Sequence, residues 1–203
     1  SHNPYQQLRV AGGQSIIVVT DGDGDGKADK SHVFITEKSI RHAPLGIAVF
    51  DNKILLSVAP DLIVYTDVNR NAVFDRGIDK REVFLTGFRG AWHDHTLHAV
   101  VGSPSGQWYF SYGNCGADVR TKDDRRFVSS SFYHNSHQTG VKSSDGHLYI
   151  GGLAMRINPD GTGLTMVGQN LRNSHDMAVN SFGDVYQNDN DDPPHCRATW
   201  LME

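Results

Sequence analysis

The sequence predicts an all-β protein, a β-propeller, on three observations. A block of apolar strand, turn, second apolar strand and aspartate-rich turn recurs about three times. Four short strands every ~40–50 residues are the pattern of propeller blades. Long helical periodicities are missing, and runs of β-branched and aromatic residues alternate with turn residues instead. Glycine is abundant, at 21 of 203 residues, as a chain of many turns requires.

Residues 1–15 are polar and poorly patterned. A half copy of the block covers 16–36, where Ile16-Ile17-Val18-Val19-Thr20 and His32-Val33-Phe34-Ile35 flank a turn. Residues 45–86 hold a full copy, with strands at Leu45–Val49, Ile54–Val58, Leu62–Thr66 and Glu82–Leu85. The next copy spans 96–171. Its inner strands include Ala99-Val100-Val101-Gly102 and Gln107–Ser111, a polar insertion occupies 113–152, and the outer strands resume at Met155-Arg156-Ile157-Asn158. The last piece, 175–203, opens with Asp176-Met177-Ala178-Val179 and Gly183-Asp184-Val185-Tyr186. Equivalent positions make Gly46–Val49, His98–Val101 and Met177–Val179 the innermost strands. About three blades fall short of the four to eight of a closed ring. Raw sheet edges would expose unpaired backbone. The expectation is a longer natural chain and a ring of about six blades, with Ser1-His2-Asn3-Pro4 reading as an internal start. A small open β-sandwich is the alternative, and the regularity of the repeat argues against it.

Net charge is −4 with both signs interspersed, so nothing points to nucleic acid. No apolar run approaches the ~20 residues of a membrane span, and no signal peptide is visible. The two cysteines, Cys115 and Cys196, form no haem-attachment motif.

Asp21-Gly22-Asp23-Gly24-Asp25-Gly26-Lys27-Ala28-Asp29 places carboxylates at loop positions 1, 3, 5 and 9. Alternate residues of a tight turn can aim at one centre, and calcium takes six to eight hard oxygens. Asp21, Asp23, Asp25 and Asp29 are the candidate side-chain ligands, with the Lys27 carbonyl as a further one. His32 stands where an EF-hand needs glutamate, and the flanks are strands, so the loop is of the propeller kind. The alternative is an acidic turn with no ion. Asp67, Asn69, Asn71 and Asp75 repeat the spacing with less charge, a weaker second site or a plain turn.

His93-Asp94-His95-Thr96-Leu97-His98 precedes an inner strand, where propeller loops reach the mouth of the channel. A histidine there can take a proton from an alcohol with a carboxylate orienting it. Metal ligation is a second reading, in which His93 and His95 could share a face and His98 would not. On spacing alone a polar loop of satisfied histidines is favoured. His134 and His137, in the insertion, read as solvated or as metal ligands.

Asp94-His95 followed by Pro104-Ser105-Gly106-Gln107-Trp108-Tyr109-Phe110-Ser111-Tyr112-Gly113-Asn114-Cys115-Gly116 resembles the soluble quinoprotein glucose and sorbosone dehydrogenase family. Leu171-Arg172-Asn173-Ser174-His175-Asp176 resembles that family's Arg-Asn-Pro segment. Along nearly its whole length the chain is similar to a branch of large secreted proteins called membrane-bound dehydrogenases of planctomycete type. The Asp-Gly-Asp-Gly-Lys-Ala-Asp-Lys loop, the Ala59-Pro60-Asp61-Leu62 turn, Arg81-Glu82-Val83 and the Asn-Asp-Asn-Asp-Asp stretch from Asn188 carry that likeness.

The resemblance implies a periplasmic or secreted sugar or alcohol dehydrogenase that uses calcium and pyrroloquinoline quinone. His95 would be the base, Asp94 its orienting partner, and Arg172 and Asn173 quinone ligands, with Arg172 polarising the carbonyl that receives hydride. It also implies helical repeats and a cytochrome c domain or complex as partners. Asn114 departs from the family's aspartate, and Ser174-His175 from its proline. Many members of that branch are named dehydrogenases by homology only, so a non-catalytic docking propeller is the second function carried forward. His195 and Cys196 lie in a loop matching the one that holds Cys115, which makes a Cys115–Cys196 disulfide and two buried thiols equal alternatives.

Overall fold

The computed structural model describes residues 12–40, 42–91, 93–131, 139–190 and 196–202. Their regular structure is all strand, gathered into several small sheets and bearing out the all-β class. β1 (Gln14–Thr20) and β2 (Lys30–Glu37) pair antiparallel. β3 (Gly46–Phe50), β4 (Lys53–Val58), β5 (Asp61–Thr66) and β6 (Lys80–Thr86) form a four-stranded meander. β7 (Leu97–Gly102) and β8 (Trp108–Tyr112) begin the next sheet. The chain then leaves to build a separate three-stranded sheet from β9 (Ala117–Arg120), β10 (Arg126–Ser130) and β11 (Tyr149–Ile150). It returns with β12 (Gly152–Ile157) and β13 (Thr165–Leu171), giving the order β13-β12-β8-β7. β14 (Met177–Val179), β15 (Val185–Asp189) and β16 (Arg197–Leu201) form the last sheet.

The sheets stack face to face in chain order, and strand pleating explains how. Successive side chains of a strand point to opposite faces, so a strand covered on both sides must be apolar throughout. β4 and β5 are such strands. Leu55, Leu62 and Val64 pack into one core with Val100, Trp108, Phe110, Leu153 and Met155 of the third large sheet. The alternate residues Leu56, Ile63 and Tyr65 pack the other way, against Phe34 of the first sheet. The pattern recurs one sheet on: Phe110 and Met155 face back, whereas Tyr109 and Ala154 face forward against Met177 and Val185. The first strands of three of the sheets lie side by side, β3 against β7 and β7 against β14. The backbones come so close that a Cβ on Gly46 would sit 2.6 Å from the Ala99 Cα.

The two ends of the stack differ from its middle. On β1, Ile17 and Val19 are 58% and 64% exposed on the face opposite Ile16 and Val18. At the other end Trp200 is 53% exposed and stacks on Tyr186 on the face opposite Val185.

Candidate functional site

Antiparallel register assembles the first part of the site. Leu97 of β7 pairs with Tyr112 of β8, and continuing that pairing two residues outward sets His95 opposite Asn114. Their side chains meet in the buried interior, with His95 Nδ1 2.8 Å from Asn114 Oδ1. The Cys115 N–H donates to the His95 carbonyl at 3.2 Å, and Gly113 N–H donates to Thr96 O at 2.9 Å. Gly113 allows this approach, since a Cβ there would lie 2.7 Å from the His95 Cα. An amide oxygen can only accept, so Nδ1 carries the proton and Nε2 carries the lone pair.

Asp94 lies on the Nε2 side, its Oδ1 3.9 Å from His95 Nε2 and 3.1 Å from His93 Nδ1. Asp94, expected as the orienting partner of His95, thus lies on the Nε2 side of the ring, while Asn114 holds Nδ1. His93 Nδ1 also accepts the His95 backbone N–H at 3.0 Å.

A second histidine group adjoins the first. His98 Nε2 is 2.8 Å from Asn173 Oδ1, and Asn173 Nδ2 is 2.9 Å from His175 Nε2. The His98 and His175 rings lie 4.3 Å apart. Burial, above all, pushes His98 down to about 4, although the Asn173 bond acts the other way. Asp189, buried on β15, holds the segment in place. It accepts the Arg172 and Asn173 N–H groups at 3.0 and 2.9 Å and pairs with Arg197 at 2.8 Å. In the sequence Asp189 is one residue of the Asn-Asp-Asn-Asp-Asp stretch. Its signal is the extra residue needed to satisfy two adjacent N–H groups where a strand ends. The Arg172 carbonyl accepts from Asn114 N–H at 2.8 Å, so His95 and Arg172 meet through Asn114. The Arg172 guanidinium points elsewhere, donating to the Asn190 carbonyl at 3.1 Å in an exposed position.

The acidic loop forms between β1 and β2. Asp21 is its hub: Oδ1 accepts Gly24 N–H at 2.7 Å and Oδ2 accepts Gly26 N–H at 2.8 Å. The Gly26 bond is the largest influence holding the Asp21 carboxyl below its usual range. Gly24 and Gly26 have φ of 80° and 86°, conformations glycine takes without strain. Oxygens of Asp21, Asp23 and Asp25 lie within 4.8 Å of one another. Asp29 Oδ1 instead accepts Gly22 N–H at 2.7 Å, and the Lys27 N–H donates to Asp25 Oδ1 at 2.8 Å.

The loop between β5 and β6 has the same backbone. Asp67 Oδ2 accepts Ala72 N–H at 2.9 Å, Asn71 Oδ1 accepts Val73 N–H at 2.8 Å, and Arg70 and Ala72 hold φ of 58° and 60°. Here the Asn69 and Asn71 amides each donate to Asp75 Oδ2 at 2.7 Å, satisfying from within the carboxylate that a cation would otherwise balance.

No disulfide joins Cys115 and Cys196; the first is fully buried and the second exposed. Burial pushes the Cys115 thiol up to about 12. His134, His137 and His195 lie outside the described residues. A cleft of about 460 Å³ between the first two sheets is lined by Gln14, Ile16, Glu37, Leu45 and Ile47 among others. It holds none of the histidines and is not the site.

Residues 3–203 match the family described as Domain of unknown function (DUF7133), and the chain belongs to that family. No curated protein matches it. Among solved structures it is similar to an X-ray structure of a candidate gluconolactonase, with 12% identity and a TM-score of 0.44. That match covers 85% of this chain and 52% of the other, so the chain spans about half the length of that structure.

Proposed function

We propose that this chain is part of a β-propeller with a general-base site for the hydroxyl of a sugar or alcohol, acting as a quinoprotein-like dehydrogenase in the periplasm or outside the cell. The bond from His95 Nδ1 to Asn114 Oδ1 carries the reading, because it leaves Nε2 as the proton-accepting nitrogen. The substrate hydroxyl would give its proton to His95 Nε2, leaving an alkoxide beside the ring. Asp94 stabilises the imidazolium that forms. The ring itself is supported by the stacked meanders and by the adjacency of β3, β7 and β14. In a ring the bare faces bearing Ile17 and Trp200 would each pack on a neighbouring sheet.

The residues present fit calcium better than quinone. Asp21, Asp23 and Asp25 would hold the ion and tie β1 to β2, a structural role. Pyrroloquinoline quinone would supply the hydride acceptor. Its expected ligand Asn173 does not fit, because both ends of the side chain are taken up, by buried His98 and by His175. No step is routed through the quinone here. That saturation favours the second reading, a non-catalytic propeller docking within a larger, haem-containing assembly. Dye-linked turnover of a sugar and alcohol panel, with and without the quinone, tests the choice. Turnover supports the enzyme; none of any substrate leaves the docking module.

A further inference from the structure

We propose that His93, Asp94 and His95 also form a seat for a divalent transition-metal ion, with zinc the best chemical match. Each of the three offers one ligand atom, and these atoms all lie within 4.8 Å of one another. Asp94 Oδ1 is 3.1 Å from His93 Nδ1 and 3.9 Å from His95 Nε2. Ligand atoms of a tetrahedral zinc with bonds of about 2.0–2.1 Å sit roughly 3.3 Å apart, so small side-chain rotations bring these three into place.

The chemistry agrees with the distances. His95 Nδ1 is committed to Asn114, which turns the Nε2 lone pair toward Asp94 and fixes the tautomer a metal needs. His93 Nδ1 accepts a backbone N–H, so it too presents a lone pair beside the carboxylate. Three acceptor groups thus converge where a cation would satisfy all of them. Two imidazoles and one carboxylate select zinc, cobalt, nickel or copper rather than calcium. His93 and Asp94 are partly exposed, which leaves the fourth position open to water, as in zinc sites with three protein ligands.

In the bend before β7 three consecutive side chains converge, which a regular strand would forbid. Ligation uses the Nε2 lone pair that the proposed base needs, so a bound ion and deprotonation exclude each other. Zinc is then an inhibitor of the proposed activity, and that consequence alone rests on the functional reading.

The probe is cobalt(II), followed by its visible absorbance, and zinc(II), followed by calorimetry, on the metal-stripped full chain. The expected result is one equivalent of cobalt with d–d bands displaced by zinc. His93→Ala, at a half-exposed position that should not disturb folding, weakens binding at least tenfold, and Asp21→Asn leaves it unchanged. Absence of the bands, or unchanged affinity in His93→Ala, overturns the site. Loss in Asp21→Asn alone also overturns it, because the ion would then sit in the acidic loop. Binding decides the proposal by itself, whereas failure of the metal-stripped protein to turn over any substrate counts against the base reading.

Discussion

Asn114 separates orientation from charge at His95. With Asn114→Ala the Nδ1 partner is gone and the ring can take either tautomer. The ¹⁵N shifts of His95 should then move from one tautomer to a mixture, and turnover should fall roughly ten- to hundred-fold, as for other lost partners of functional histidines. Asn114→Asp should keep the tautomer and raise the basicity of Nε2, moving the acid limb of the pH–rate profile upward. Unchanged ¹⁵N shifts in Asn114→Ala would show that the hydrogen bond does not set the tautomer. His98 offers a second residue-scale check. An unfolded histidine titrates near 6.5, and folded His98 near 4. Between those values the unfolded chain binds a proton that the native chain refuses. Stability from this group is therefore full above about pH 6.5 and lost as pH falls toward about 4, by on the order of 3 kcal/mol. A His98 ring resonance that titrates above pH 6 would contradict it. Residue types showed where histidine chemistry gathers, but not the partners: Asn114 stood out in sequence only as a departure from a family pattern. Its role follows from the β7–β8 register, which is fixed by packing on both faces of the sheet.

At the scale of elements, the two aspartate turns share a backbone but not a charge. Calcium should raise the melting temperature and chelator should lower it, with the effect abolished in Asp21→Asn and kept in Asp75→Asn. Calorimetric scans with and without chelator measure this, and a chelator response surviving in Asp21→Asn would remove the ion from the first loop. The spacing of oxygens was legible in both loops. The difference between them lies in which way the Asn69 and Asn71 amides turn, and that is a three-dimensional property. The cysteines show the same limit. The two loops occupy equivalent positions in the repeat, yet Cys115 follows β8 into the interior and Cys196 precedes exposed β16. A thiol reagent should label Cys196 in the native protein and reach Cys115 only on unfolding, read by peptide mass spectrometry.

At the scale of the whole molecule, stability rests on strands covered on both faces. Leu55→Ala, at a fully buried site between the second and third sheets, should cost about 2–5 kcal/mol in urea unfolding, whereas Ile17→Ala, on the bare face, should cost little. The all-β class was legible because continuous apolar runs and aspartate turns leave little else possible. The site was less so, because it is built from ends of sheets that meet only after stacking. The central claim is that His95 Nε2 takes the substrate proton, and the most direct measurement compares parent and His95→Ala in kcat, with calcium and quinone supplied and transition metals removed. The account predicts a loss of about 10²–10⁴-fold with the fold and calcium response retained. Equal turnover by the two proteins would contradict it.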